Sequence, residues 1–247
     1  MPRMDPGIPA LQDCSPAHPL YIAHRGAAAL APENTMEAYR AAYASGLRVL
    51  EQDVCLLRDG ALGVLHDATV DRLTHRTGPT QAFDSAEWQT LRIDTRRWGG
   101  AFGTYVTPPL FADVLDEFKD RVLFVPEAKT PGSGAPLVAV LQAAGIATQH
   151  AIVQAFHLQD LEAAIDAGYP AMFLTRKAAD IAAARRLGVT WAGIAKDASD
   201  GVFRAWVEAG FNVVAWTVDR VDTRDRLLAL GVCGFFSDDP LALMAGR

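Results

Sequence analysis

From Leu110 to the end of the 247-residue chain, short apolar runs alternate with longer amphipathic segments, and this alternation constrains the fold more than any other feature. The apolar runs are Val122–Val125, Ala151–Gln154, Ala171–Leu174, Trp191–Ile194, Asn212–Val218 and Gly234–Ser237, each of a length suited to a buried strand. Helical patterning fills the gaps near 110–119, 135–145, 158–168, 178–187, 200–209 and 222–230. Gly145, Gly168, Gly188, Gly210 and Gly231 fall near the ends of those segments, where a left-handed cap favours glycine. Two earlier runs, Leu20–Ala23 and Val49–Leu56, enclose one more helical segment and bring the count to eight strand–helix units. Eight units in a chain of this size predict an α/β TIM (β/α)8 barrel, for which about 250 residues is typical. A doubly wound open sheet is the alternative, but it usually has fewer strands, and no GxGxxG fingerprint is present. The pattern breaks at about 68–108, which is polar and turn-rich, with one short helix expected from Ala86 to Ile93 and a glycine-aromatic loop running to Pro108-Pro109. That stretch reads as a small insertion after the second strand. Residues 1–18 read as a tail and 19–247 as a single domain.

Chemistry is densest between Tyr21 and Asp67. The first strand ends in His24-Arg25-Gly26, a base and a fixed cation. Pro32-Glu33-Asn34-Thr35 then starts a helix, with Asn34 or Thr35 as its N-cap and Glu37 in its first turn. On the returning strand, alternation with period two puts Glu51, Asp53 and Cys55 on one face and Leu50, Gln52 and Val54 on the other. Two carboxylates side by side on a buried strand repel unless a positive charge lies between them. Hard carboxylate oxygens suit a divalent cation such as Mg²⁺ or Ca²⁺. Asp59-Gly60 signals a hairpin. A two-residue turn there pairs Asp53 with His66, and a slip of one residue sends His66 to the opposite face.

Barrel enzymes collect their working residues at the C-terminal ends of the strands. His24, Glu51 and Asp53, Glu127 and Lys129, Gln154 and Phe156, Trp216 and Asp238 all fall late in a strand or just after one. Glu127 and Lys129 could also form a plain ion pair, and Trp216 could simply fill the barrel top. His75 and Arg96-Arg97 read as solvated surface.

Composition excludes several classes. A formal charge of −6 argues against a sequence-independent nucleic-acid binder, which needs a basic face. No run approaches the roughly 18 apolar residues of a membrane span. The first 19 residues hold prolines and acidic groups where a secretory signal needs an apolar core, which leads to the expectation of a cytoplasmic protein. Cys14, Cys55 and Cys233 have no zinc spacing; Cys55 and Cys233 read as buried thiols and Cys14 as exposed.

Taken together and in order, His24-Arg25-Gly26, Pro32-Glu33-Asn34-Thr35, Glu51-x-Asp53 and His66-Asp67 resemble the glycerophosphodiester phosphodiesterases. The resemblance continues through Arg72, Thr74, Gly78, Pro109-Leu110, Glu127-x-Lys129, Gln154-x-Phe156, Trp216-Thr217-Val218 and Ser237-Asp238-x-Pro240, covering about residues 20–242. It implies hydrolysis of a small glycerophosphodiester to glycerol 3-phosphate and an alcohol. His24 and His66 would be the acid–base pair, and Glu51, Asp53 and Glu127 the ligands of a Ca²⁺ or Mg²⁺ ion. Arg25 and Lys129 would contact phosphate, with Trp216 and Phe156 lining the pocket. The route implied is attack by the substrate's own glycerol hydroxyl through a cyclic phosphate. A phospholipase D acting on lysophospholipids or sphingomyelin would use the same core. A silent barrel binding a phosphorylated ligand would be expected to lack a histidine or a metal carboxylate, and all five are present. Pro126 and Asp219 depart from the family pattern, where an apolar residue and an asparagine are usual.

Overall fold

Eight parallel strands close on themselves in the computed structural model, which describes residues 7–246. In chain order the elements are β1 (Leu20–Ala23), α1 (Met36–Ala44), β2 (Val49–Leu56), β3 (Leu62–Val64), α2 (Ser85–Trp88), β4 (Ile93–Asp94), β5 (Tyr105–Val106), α3 (Phe111–Phe118) and β6 (Leu123–Ala128). There follow α4 (Gly134–Ala143), β7 (Val153–Ala155), α5 (Glu162–Asp166), β8 (Ala171–Thr175), α6 (Ile181–Leu187), β9 (Trp191–Ala195), α7 (Asp200–Glu208), β10 (Asn212–Trp216), α8 (Val221–Ala229), β11 (Gly234–Ser237) and α9 (Pro240–Ala245). The barrel runs β1-β11-β10-β9-β8-β7-β6-β2 and shuts where Ala23 meets Leu50. Each of its strands is followed by a helix, as in a TIM barrel.

Period-two alternation divides the strand residues between two apolar layers. Leu20, Ile22, Val49, Leu123, Val125, Ile152, Met172 and Val214 fill the interior. Leu50, Phe124, Phe173, Val213 and Phe235 face outward and pack against helix residues such as Tyr39, Phe118, Leu141 and Trp206. Ile8, Leu11 and Cys14 cover the interior layer at the end where β1 and β11 begin. Cys14 is therefore half-buried, contrary to expectation, and its Sγ donates to the Cys233 carbonyl. No helix among the described residues is long and apolar enough to cross a membrane.

The hairpin register differs from the expected one. Val54 pairs with Val64, Cys55 with Gly63 and Leu56 with Leu62, so Asp53 faces Leu65 and not His66. The loop holds three residues, Arg58, Asp59 and Gly60, closed by Leu57 N–H to the Ala61 carbonyl at 2.8 Å. Gly60 takes the left-handed conformation at its third position, φ 86°, which adds one residue to the two-residue turn expected and shifts the ladder by one. His66 lies beyond the end of β3, so alternation no longer dictates its side.

Between β3 and α3 the insertion builds a small core of its own from Cys55, Leu57, Leu65, Val70, Phe83, Trp88 and Leu91. A Cβ on Gly63 would come within 2.6 Å of the Trp88 ring, so the return strand and the insertion are in direct contact. The helix expected over Ala86–Ile93 covers only Ser85–Trp88, started by an Asp84/Glu87 capping box. Leu91, Ile93 and Thr95 are buried while Arg92 and Asp94 are exposed; that alternation suits a strand, and Ile93 pairs with Val106.

Candidate active site

The C-terminal ends of the barrel strands surround a cavity of about 140 Å³. All nine residues proposed from the sequence reach it: His24, Arg25, Glu51, Asp53, His66, Glu127, Lys129, Phe156 and Trp216, with Gln154, Leu174, Thr217 and Phe236 completing the wall.

The first turn depends on backbone conformation. After His24 the chain enters left-handed geometry at Arg25 (φ 53°), Gly26 (φ 82°) and Ala27 (φ 65°). A Cβ at Gly26 would lie 2.7 Å from the Ala38 Cβ, so only glycine lets this turn sit on α1. The turn aims the Arg25 backbone N–H at Glu51 Oε2, 2.6 Å away.

Three buried carboxylates form the centre. Glu51 and Asp53 come from β2, and Glu127 from β6, where it pairs in register with Asp53. One oxygen from each lies within 4.8 Å of the others. Asp53 Oδ2 accepts from Asn34 Nδ2 at 2.8 Å and lies 3.4 Å from Arg25 Nε. Its Oδ1 is buried without a hydrogen bond, 3.5 Å from Lys129 Nζ. Lys129 also pairs with Glu127 at 2.9 Å, and Gln154 Nε2 reaches Glu51 Oε1 at 3.4 Å. Burial and the neighbouring Asp53 and Glu127 charges hold the Glu51 carboxyl well above its ordinary range. Burial and Asp53 push Glu127 up to about 7. Burial would raise Asp53 too, but Lys129, His66, Arg25 and His24 together pull it down. Three hard-oxygen donors, one with a buried oxygen that takes no hydrogen bond, fit a divalent cation.

Each histidine carries its own carboxylate. His24 Nδ1 lies 2.7 Å from Asp238 Oδ1, and His66 Nδ1 lies 2.8 Å from Asp67 Oδ1. With Nδ1 engaged, Nε2 is the nitrogen each ring has available for proton exchange. Asp219 fixes the first pair from behind, accepting from the Asp238 backbone N–H at 2.8 Å and from Ser237 Oγ at 2.9 Å. Burial lowers the His66 pKa despite Asp53 and Asp67. On the far wall, the Phe156 and Trp216 rings meet edge to face with centroids 5.8 Å apart.

Several partners were missed from sequence. Asn34 does not cap α1; Thr35 does. Asn34 instead adopts φ 56° and bridges the Tyr39 hydroxyl and Asp53. Glu33 and Arg72 bond each other across the rim. An asparagine beside a better cap, and a glutamate between proline and asparagine, were the available signals.

A sequence profile of the Glycerophosphoryl diester phosphodiesterase family matches residues 24–242. The glycerophosphodiester phosphodiesterase of Caldanaerobacter subterraneus subsp. tengcongensis is 28% identical over 248 residues, spanning 91% of this chain and 96% of that protein. Among solved structures, the glycerophosphodiester phosphodiesterase of Agrobacterium tumefaciens C58 superposes with a TM-score of 0.76 at 24% identity, covering 91% of this chain and 98% of that one. A phosphodiesterase from Oleispira antarctica, solved in complex with the product sn-glycerol-3-phosphate, gives 0.78 at 22% identity, covering 93% and 96%. Those two likenesses carry the barrel. The profile spans the cavity from His24 to the helix after Asp238, and by that match the chain belongs to the glycerophosphoryl diester phosphodiesterase family and is an enzyme of that class.

Proposed function

We propose that this chain hydrolyses glycerophosphodiesters to sn-glycerol 3-phosphate and an alcohol. The observation that carries the reading is the cavity itself, where two carboxylate-bound imidazoles accompany three buried carboxylates and two fixed cations. Glu51, Asp53 and Glu127 would hold Ca²⁺ or Mg²⁺. Such an ion supplies positive charge to the phosphoryl oxygens. Arg25 and Lys129 add charge that is present throughout, and they favour the more negative transition state. Phe156 and Trp216 give the glycerol carbons an apolar wall.

The two histidines handle the protons. The substrate's glycerol 2-hydroxyl attacks phosphorus and loses its proton to one imidazole Nε2, while the other imidazolium gives its proton to the departing alcohol oxygen. A cyclic phosphate results, and water opens it with the proton roles exchanged. The pairing of each Nδ1 with an aspartate keeps both rings oriented for either direction.

The test is a coupled glycerol 3-phosphate assay over glycerophosphocholine, -ethanolamine, -glycerol and -inositol, with a lysophosphatidylcholine alongside. Cleavage of at least one soluble diester with higher kcat/KM than the lysolipid is expected. A lysolipid preference of about tenfold, a discrimination of roughly 1.4 kcal/mol, would move the chain to the phospholipase class. No cleavage of any of them would leave a phosphate-binding barrel.

A further inference from the structure

Arg72 belongs to the insertion and does not line the cavity, yet its guanidinium grips groups on two sides of the site. Nε donates to Asp67 Oδ2 at 2.6 Å and Nη2 to Asp67 Oδ1 at 3.2 Å. Nη1 donates to Glu33 Oε2 at 3.1 Å and Nη2 to Glu33 Oε1 at 2.8 Å. Asp67 is the carboxylate that binds His66 Nδ1, and Glu33 Oε1 also accepts from Arg25 Nη1 at 2.9 Å. Alternating carboxylates and guanidinium groups therefore run without a gap from the His66 ring through Asp67, Arg72, Glu33 and Arg25 to Asp53.

An exposed ion pair contributes little by itself, and the Arg72 side chain is 45% exposed. What sets it apart is geometry. Two forks from one rigid plane fix two carboxylates relative to each other, which a point charge on a flexible stem cannot do. An Asp67 carboxylate held at both oxygens offers the His66 ring one acceptor in one place. The ring is then confined to the tautomer with hydrogen on Nδ1 and the lone pair on Nε2. At the other end, Glu33 keeps the Arg25 guanidinium turned toward Asp53.

We propose that Arg72 is a positioning residue, fixing the His66 imidazole through Asp67 and the Arg25 guanidinium through Glu33, so that the insertion takes part in assembling the active site. The proposal rests on the phosphodiesterase reading above for its kinetic consequence. Its structural content can be read without any turnover.

Arg72→Ala and Arg72→Lys are compared with wild type in kcat, KM, melting temperature and the ring-nitrogen NMR signals of His66, assigned by their loss in His66→Gln. Small misplacements of reacting groups cost up to about 100-fold, so Arg72→Ala is expected to lower kcat by about 10- to 100-fold while KM moves far less. Added guanidinium ion should restore part of that loss and ammonium none, and Arg72→Lys should stay close to Arg72→Ala. At about pH 8, where an imidazole is neutral, His66 in wild type should show the Nδ1–H form and in Arg72→Ala a mixture. If the alanine variant is poorly folded, Glu33→Gln, which weakens the Arg72 fork to Glu33 and the Glu33 bond to Arg25 while leaving the Asp67 fork in place, should show a smaller kcat loss of the same kind. A kcat unchanged in Arg72→Ala, or a loss that follows melting temperature, is not rescued by guanidinium and leaves the ring signals as in wild type, overturns the proposal. Wild-type protein inactive on every diester would overturn the phosphodiesterase reading, and the ring signals would still decide whether Arg72 sets the His66 tautomer.

Discussion

His24 and His66 are each bound at Nδ1 by an aspartate, but the aspartates are held differently. Asp238 is anchored through its own backbone N–H to Asp219, whereas Asp67 is anchored by the Arg72 guanidinium, which pulls its pKa down to about 2. Both arrangements suit the proton transfer proposed above. His24→Gln and His66→Gln should therefore each lower kcat by about 10²- to 10⁴-fold with KM little changed, the usual worth of a positioned acid or base. The two losses should fall short of multiplying in the double variant, because in the proposed mechanism both residues act on one proton circuit. Neither imidazole belongs to the three-carboxylate cluster, so stabilisation by Mg²⁺ or Ca²⁺ should survive both changes. Loss of that stabilisation in His24→Gln would make His24 a metal ligand instead. Full activity in His66→Gln would remove it from the mechanism.

At the scale of elements, the hairpin and insertion decide how His66 arrives. Gly63 on β3 lies against Trp88 of α2, and an alanine there would bring a Cβ to 2.6 Å from the ring, too close without repacking. Overpacking of this kind typically costs roughly 1–3 kcal/mol. Gly63→Ala should lower the urea midpoint accordingly and make the 65–110 segment easier to nick with protease. An unchanged midpoint would mean the insertion is packed more loosely than its Trp88 contact implies. The same region marks where sequence reading stops working. The barrel strands were readable because each is a short apolar run closed by a turn signal, and strands of one parallel barrel share a single period. Their ends were readable for the same reason, which is why His24, Asp53, Glu127 and Trp216 could be placed on one rim. The hairpin register was not, since it depends on whether Gly60 ends a loop of two residues or three. Nor were the partners of Glu33 and Arg72, 39 positions apart and joined across irregular chain that carries no period. Local rules offer Asn34 or Thr35 as the helix cap, and Thr35 takes it; nothing local signals the Asn34 bond to Asp53, which spans 19 positions.

Over the whole molecule, the buried carboxylates tie stability to pH and, if they hold the proposed ion, to metal as well. Burial and mutual repulsion raise Glu51 well above its ordinary range and Glu127 from 4.5 to about 7. A carboxyl whose folded pKa is raised stabilises the fold below its unfolded value, and that contribution disappears as pH rises through the folded value. Metal-free protein should thus lose stability between about pH 4.5 and 7, as Glu127 gives up its proton. His66, pushed below 6.5 by burial, works the opposite way up to 6.5, but one imidazole opposes two carboxyl groups. Asp67, lowered to about 2 chiefly by Arg72, contributes fully above 3.8 and loses its share only in stronger acid. A divalent ion held as proposed would bind the deprotonated carboxylates and so reverse the trend where the trend is largest. The melting temperature of chelator-treated protein should fall from pH 5 to pH 7.5, and the increment from added Mg²⁺ or Ca²⁺ should grow over the same range, as proton-linked binding requires. Glu127→Gln removes the titrating group and keeps its shape. It should flatten the metal-free decline and shrink the metal increment together. A metal-free melting temperature that holds level or rises toward pH 7.5 would mean that Arg25 and Lys129 already neutralise the cluster, and that no ion is needed to hold the three carboxylates in one place.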